Sequence, residues 1–250
     1  IAILAARGEA VGVARLTDAA QRVARAIIRS DLPTTEPIRF DNEAATAETL
    51  SQLSEHGSLT VDPDSPVRRY HLTSKPAIEA AYYRNSVGLF FVPGAVAERA
   101  RVPSDRAPGG GGFWAEVDHL RDLLKFEFFF ADKTRFRHDI IDEMDAIDRN
   151  WRTRLADDRE GLLLDSDLLR AHWALLPFLE AYLIVATRIA TGGYDGDRKQ
   201  FVSDCLEIGT EWLTDGRVSA DESVAKPLFG SALDLALNRG IPEGSDDERQ

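Results

Sequence analysis

The sequence predicts a mainly α fold with small β-hairpins, arranged as two helix–hairpin–helix units of winged-helix shape. Three observations carry this. Apolar residues recur at helical spacing through most of the 250 residues. Short β-type runs flanked by Gly, Pro and Asp occur near residues 57–72 and 162–164. The order helix, β element, long apolar helix occurs twice, with Leu72-Thr73-Ser74 and, 92 residues on, Leu164-Asp165-Ser166 at equivalent points.

The elements follow in order. Residues 1–30 are Ala-rich, with Val13, Leu16, Val23, Ile27 and Ile28 at helical spacing, and Thr17 is expected to N-cap the second of two helices with Gln21 behind it. Asp31–Phe40, with Pro33 and Pro37, reads as a loop, and Ala44–Glu55 as a helix. Gly57–Val61, a turn at Asp62–Pro66 and Arg69–Leu72 read as a hairpin. A long helix is expected from Lys75 to Val92, broken near Pro93-Gly94 and resuming to Arg101. Pro103–Gly112 ends in four glycines and lacks the preceding strand that a phosphate cradle needs, so it reads as a connector.

Phe113–Phe130 and Asp132–Arg154 read as helices, the second with Ile140, Ile141, Met144 and Ile147 on one face. Asp157–Gly161 is expected to turn and Leu162–Leu164 to form a short strand. Asp165 or Ser166 would then cap a helix over Asp167–Thr191, stopped by Gly192-Gly193. Two more helices follow, over Asp197–Thr214 and Ser223–Arg239. The expected organisation is a first unit over 1–102, a Gly-rich linker over 103–112, a second unit over 113–240 and a disordered acidic tail over 241–250.

Composition narrows the function. A net charge of −12 argues against a nucleic-acid surface, which needs a basic patch to neutralise phosphates. Cys205 is the single cysteine, so no internal disulfide forms, and a buried structural thiol is its expected role. No apolar run reaches the roughly 18 residues of a spanning helix.

Four clusters invite a chemical reading. His119 and Asp122 share a helix face, which suits a base and its orienting carboxylate, or a solvated surface. His138, Asp139, Asp142 and Glu143 supply two ligands on one side of a helix, too few for a metal site, so no metal or cofactor is expected. Phe126, Phe128, Phe129 and Phe130 suit either the core or a membrane or partner contact. Tyr82, Tyr83, Arg84 and Asn85 cover every side of a helix, and suit local packing or docking to another domain.

The last cluster also carries a resemblance. Ala77–Arg99, with Tyr82-Tyr83-Arg84-Asn85-Ser86 and then Phe90-Phe91-Val92-Pro93, resembles the C-terminal region of the large, PlsB-type glycerol-3-phosphate acyltransferases. The family's core there reads Tyr-Tyr-Arg-Asn-Asn before an apolar helix. Leu120–Phe130, Arg188–Thr191 and Lys226–Gly230 are similar to family stretches in the same order, and the Ala-rich start resembles the segment after the catalytic domain. The resemblance implies a bacterial parent that transfers an acyl chain from acyl-CoA or acyl-carrier protein to the 1-hydroxyl of glycerol 3-phosphate. That is the first step of phospholipid synthesis, and it implies a peripheral position on the cytoplasmic face of the cell membrane. The family's base is the His of a His-x4-Asp motif, oriented by the Asp.

Here the residues five beyond the histidines are Val61, Pro76, Leu124, Glu143 and Pro177. No catalytic residue is therefore expected in this chain. The resemblance implies an accessory region, inactive alone, whose partners are an upstream catalytic domain of the same polypeptide and, through that parent, a membrane surface. A different class of reading is a winged-helix-type regulator or adaptor without catalysis, suggested by the two β elements.

Overall fold

The computed structural model describes residues 10–29, 42–73, 80, 88–102, 112–165 and 174–240. Ten α-helices and one three-stranded sheet make up the described residues, so the chain is mainly α with a small β element. The chain divides into two compact units, Ile1–Pro103 with His138–Ala174, and Ser104–Arg137 with Leu175–Gln250.

In the first unit, β1 (Val11–Gly12) runs straight into α1 (Val13–Arg29). After α2 (Glu43–Glu55) come β2 (Thr60–Val61) and β3 (Arg69–His71), the expected hairpin. The sheet order is β1-β3-β2, with Val11 opposite Tyr70 and Thr60 opposite His71, all antiparallel. β1 is too short to show alternation in sequence, and only its pairing with β3 makes it a strand. Tyr70, Val11, Leu16, Leu50 and Leu59 form the core beneath.

The cap expected at Thr17 is not formed, and the cap of the next helix is Asn42. Thr17 lies inside α1 and donates its hydroxyl to the Val13 carbonyl at 2.9 Å, so it does not cap a second helix. Asn42 caps α2, its side chain accepting from the Ala45 N–H at 3.0 Å.

A 3₁₀ turn at Leu89–Phe91 leads into α3 (Val92–Arg101). Pro93 starts this helix and does not break it, because a first-turn residue has no intrahelical N–H bond to lose. Four small residues, Gly94, Ala95, Ala97 and Ala100, let α3 be enclosed on most sides, with Val96 buried beside them. Arg101 is buried with them and donates to the Leu162 carbonyl at 2.7 Å.

The helix expected over Asp132–Arg154 is two helices, α5 (Lys133–Ile147) and α6 (Trp151–Asp157). The break at 148–150 follows from Asp148, whose carboxylate takes the Asn150 N–H at 2.7 Å and so competes with the helix ladder. Ile140 and Met144 are fully buried, while Ile141 and Ile147 are half-buried.

Leu162–Leu164 is not a strand. It is the end of α7 (Arg159–Leu164), which Asp158 caps by accepting from the Gly161 N–H at 3.0 Å. Among the described residues the sheet is confined to the first unit, so the second hairpin of the expected repeat is absent there. Arg154 ties this region together through Asp148, Asp158 and Asp165, and holds the Asp148 and Asp158 carboxyls below the usual carboxylate range.

In the second unit, α4 (Phe113–Leu123) is followed by a loop over 124–132 and the first turn of α5. The helix expected to reach Phe130 stops at Leu123. α8 (Leu176–Gly192) ends at Gly193, whose φ of 66° only glycine adopts without strain. It packs against α9 (Arg198–Thr214) and α10 (Lys226–Asn238), with a 3₁₀ turn at Asp221–Ser223 between them. Ile184, Val185, Phe201, Cys205, Trp212, Phe229 and Leu233 form the core. A β-carbon at Gly209 would lie 2.9 Å from Val224 Cγ1, so glycine is what allows α9 to approach this closely.

Candidate functional site

Of the two contact clusters read from sequence, Tyr82, Tyr83, Arg84 and Asn85 lie outside the described residues. The aromatic run is fully described, and the structure divides it. Phe128 and Phe130 turn inward, whereas Phe126 is 46 % exposed and Phe129 stands fully clear of the protein.

The local cause is the end of α4. Leu124 is buried, and its carbonyl accepts from the N–H groups of Glu127 (3.0 Å) and Phe128 (3.1 Å), which curls the chain into a tight turn. Phe128 then packs edge-to-face on Phe178 of α8, centroids 4.8 Å apart. Phe130 packs edge-to-face on Phe136 of α5 at 5.0 Å. Arg121 covers both of these rings, at 5.7 and 5.9 Å, and donates to the Ala131 carbonyl at 2.7 Å. Asp132 closes the loop by accepting from the N–H groups of Thr134 and Arg135.

Polar contacts fix the other side. Tyr182 of α8 donates its hydroxyl to Glu127 Oε1 at 3.0 Å. Lys125 reaches Asn238 Oδ1 at 2.8 Å and Asp122 at 3.1 Å, and Arg239 binds the same Asp122 at 2.6 Å. Burial raises the Glu127 carboxyl above its ordinary range against the hydrogen bonds from Tyr182 and Ser231. Burial, followed by the Glu127 charge, also raises the Tyr182 phenol.

The Glu127 shift gives a pH prediction. Its folded pKa lies above its unfolded one, so the folded state holds this proton more tightly. Stability from this group is present in full below the unfolded carboxyl range and falls as pH rises through the folded pKa. Glu127→Gln keeps an acceptor for Tyr182 but has no charge to bury. Urea unfolding at pH 4 and pH 7 is expected to show the variant gaining on the parent at pH 7. An unchanged difference between the two pH values would contradict this.

The other candidate chemistry does not assemble. Asp122 is engaged by Arg239 and then Lys125, which lower its carboxyl, and His119 is exposed. His138 and Asp142 are both exposed, and among the described residues no three His, Cys, Asp or Glu side chains form a metal-binding group. Cys205 is fully buried in the α8–α9–α10 core, which pushes its thiol up to about 11, far from a reactive thiolate.

Sequence reasoning missed Glu127, Tyr182 and Glu180. Glu127 hides among four phenylalanines, and its partners come from α8 and α10, which no local pattern announces.

Three comparisons bear on this chain. A family model described as the glycerol-3-phosphate acyltransferase C-terminal region matches residues 1–244. A protein of Mycobacterium bovis carrying the name plsB1 with an acyltransferase assignment is 33 % identical over 215 residues, 82 % of this chain and 34 % of that protein. Its namesakes in two strains of Mycobacterium tuberculosis match over the same extent. The chain thus spans about a third of the length of the curated relatives it matches. No solved structure matches it.

Proposed function

Because this chain belongs to the family of glycerol-3-phosphate acyltransferase C-terminal regions, we propose that it is the accessory part of a glycerol-3-phosphate 1-O-acyltransferase and does no chemistry alone. The observation that carries the reading is the family match over 1–244 in a chain whose five histidines all lack an Asp five residues on. Acyl transfer needs a base beside the attacking hydroxyl and a group to orient that base. The described histidine–carboxylate pairs are exposed surface side chains, which offer no enclosed place for it.

In this reading the upstream domain of the same polypeptide takes the acyl chain from acyl-CoA or acyl-carrier protein. The present region completes the fold of that enzyme, with Tyr82, Tyr83, Arg84 and Asn85 as its docking residues. The parent works at the cytoplasmic face of the membrane as a peripheral protein. No described helix is long and apolar enough to cross a membrane. The adaptor reading needs a repeated β element, and the helical Leu162–Leu164 removes one copy of it.

The test is acyl transfer from palmitoyl-CoA to glycerol 3-phosphate in detergent micelles. The chain is assayed alone and then mixed with the upstream segment of its parent. The expected result is no product alone and product on mixing, above what the upstream segment makes by itself. Product from the chain alone would overturn the division of labour, and His138 and His119 would be the first residues to replace.

A further inference from the structure

The loop over 124–132 is held from both sides, yet it points two phenyl rings away from the protein. Leu124, Glu127, Phe128 and Phe130 face inward onto α5, α8 and α10, and the exposed residues between them are Lys125, Phe126 and Phe129. A segment anchored at four positions presents its exposed residues in a set geometry. Leaving a whole phenyl ring in water forgoes the burial that stabilises every other part of the fold.

Charge around the loop says what would cover it. Arg137 is paired with Asp118, which leaves Arg121, Lys125, Lys133 and Arg135, with Arg239 brought to Asp122, against Asp122, Glu127 and Asp132, in a chain whose net charge is −12. The protruding rings are therefore bracketed by the locally basic part of an acidic protein. Aromatic rings at the level of the headgroups with cations beside them match the two layers of an anionic bilayer surface. Two rings supply far less area than the roughly 800 Å² per partner of a stable protein interface.

We propose that the 124–132 loop is a membrane-docking finger, in which Phe129 and Phe126 enter the interfacial layer of an anionic bilayer between its flanking Lys and Arg side chains. The finger is a contact made by this region itself, and it stands whether or not the acyl-transfer reading holds.

The experiment is sedimentation of the 250-residue chain with vesicles of equal parts phosphatidylcholine and phosphatidylglycerol, and with phosphatidylcholine alone. Binding is expected to the anionic vesicles, weaker to the neutral ones, and about tenfold weaker for Phe129→Ala. Because the ring touches nothing, Phe129→Ala is expected to melt like the parent. A second variant, Phe129→Trp, reads insertion directly as a blue shift and quenching by brominated lipid beyond the background of the native tryptophans. No vesicle binding, or binding indifferent to Phe129→Ala, would overturn the proposal. So would a markedly lower melting temperature for Phe129→Ala. A Phe129→Trp shift that follows protein concentration, or appears only with the upstream segment, would overturn it in favour of a second copy or the parent's own surface. Acyl-transfer recovery is measured in detergent, so the two proposals fail separately.

Discussion

Glu180→Ala is expected to lower the stability of the second unit by about 3 kcal/mol, or roughly 10 °C in melting temperature. Glu180 is nearly buried on α8, and its carboxylate accepts four hydrogen bonds from the turn after α9. Oε1 takes the Ser219 N–H and hydroxyl, both at 2.8 Å. Oε2 takes the Ala220 N–H at 3.1 Å and the Ser223 hydroxyl at 2.6 Å. Truncation leaves two backbone N–H groups without this acceptor, and the hydroxyls can only partly re-aim. A buried donor without a partner costs about 1–3 kcal/mol. Glu180→Gln is expected to fall between, because its amide NH₂ faces donors and opposes two of the four bonds. Thermal melts followed by circular dichroism decide it. A shift of less than about 2 °C for Glu180→Ala would mean that water replaces the carboxylate without loss.

The second large effect is expected at Trp151, at about 3–5 kcal/mol for Trp151→Ala. Its side chain is almost wholly buried, and its indole N–H donates to Asp145 Oδ1 at 2.7 Å across the break between α5 and α6. Arg152 lies over the ring, its guanidinium carbon 4.3 Å from the centroid. Alanine would remove the ring and leave a cavity beside the break. Trp151→Phe keeps most of the ring and loses the Asp145 bond, so about 1 kcal/mol of further loss is assigned to that bond itself. Urea unfolding should show a lower midpoint with an unchanged slope. An alanine variant as stable as the phenylalanine one would show that the ring contributes little.

These two positions also mark what sequence can and cannot say. Trp151 reads as an apolar residue on a continuing helix, and the break before it is set by Asp148 bonding Asn150, a short-range competition that periodicity does not record. Glu180 reads as a charge that spoils an apolar helix. Its four donors come from residues some forty positions later, so its partners exist only after α8 and α9 have packed. The same applies to Leu162–Leu164. Three leucines in a row have no period, and the Asp158 cap with the burial of Leu162 makes them helical.

The family was more legible than the geometry. The family resemblance rested on Tyr82–Asn85 and the ordered similar stretches, and the family model spans 1–244. The missing His-x4-Asp spacing is a property of the sequence alone.

By itself the sequence determined the α class, the hairpin at 57–72 and, to within a residue, where the last three helices end. Each of these depends on period, turn residues and caps within a few positions. Only the tertiary structure decided that β1 is a strand, that Glu127 and Glu180 have partners, and which phenylalanines of the 126–130 run are hidden. The first depends on pairing with β3, and the others on what α5, α8, α10 and the turn after α9 bring to each residue; a contact between distant segments leaves no local trace in the chain.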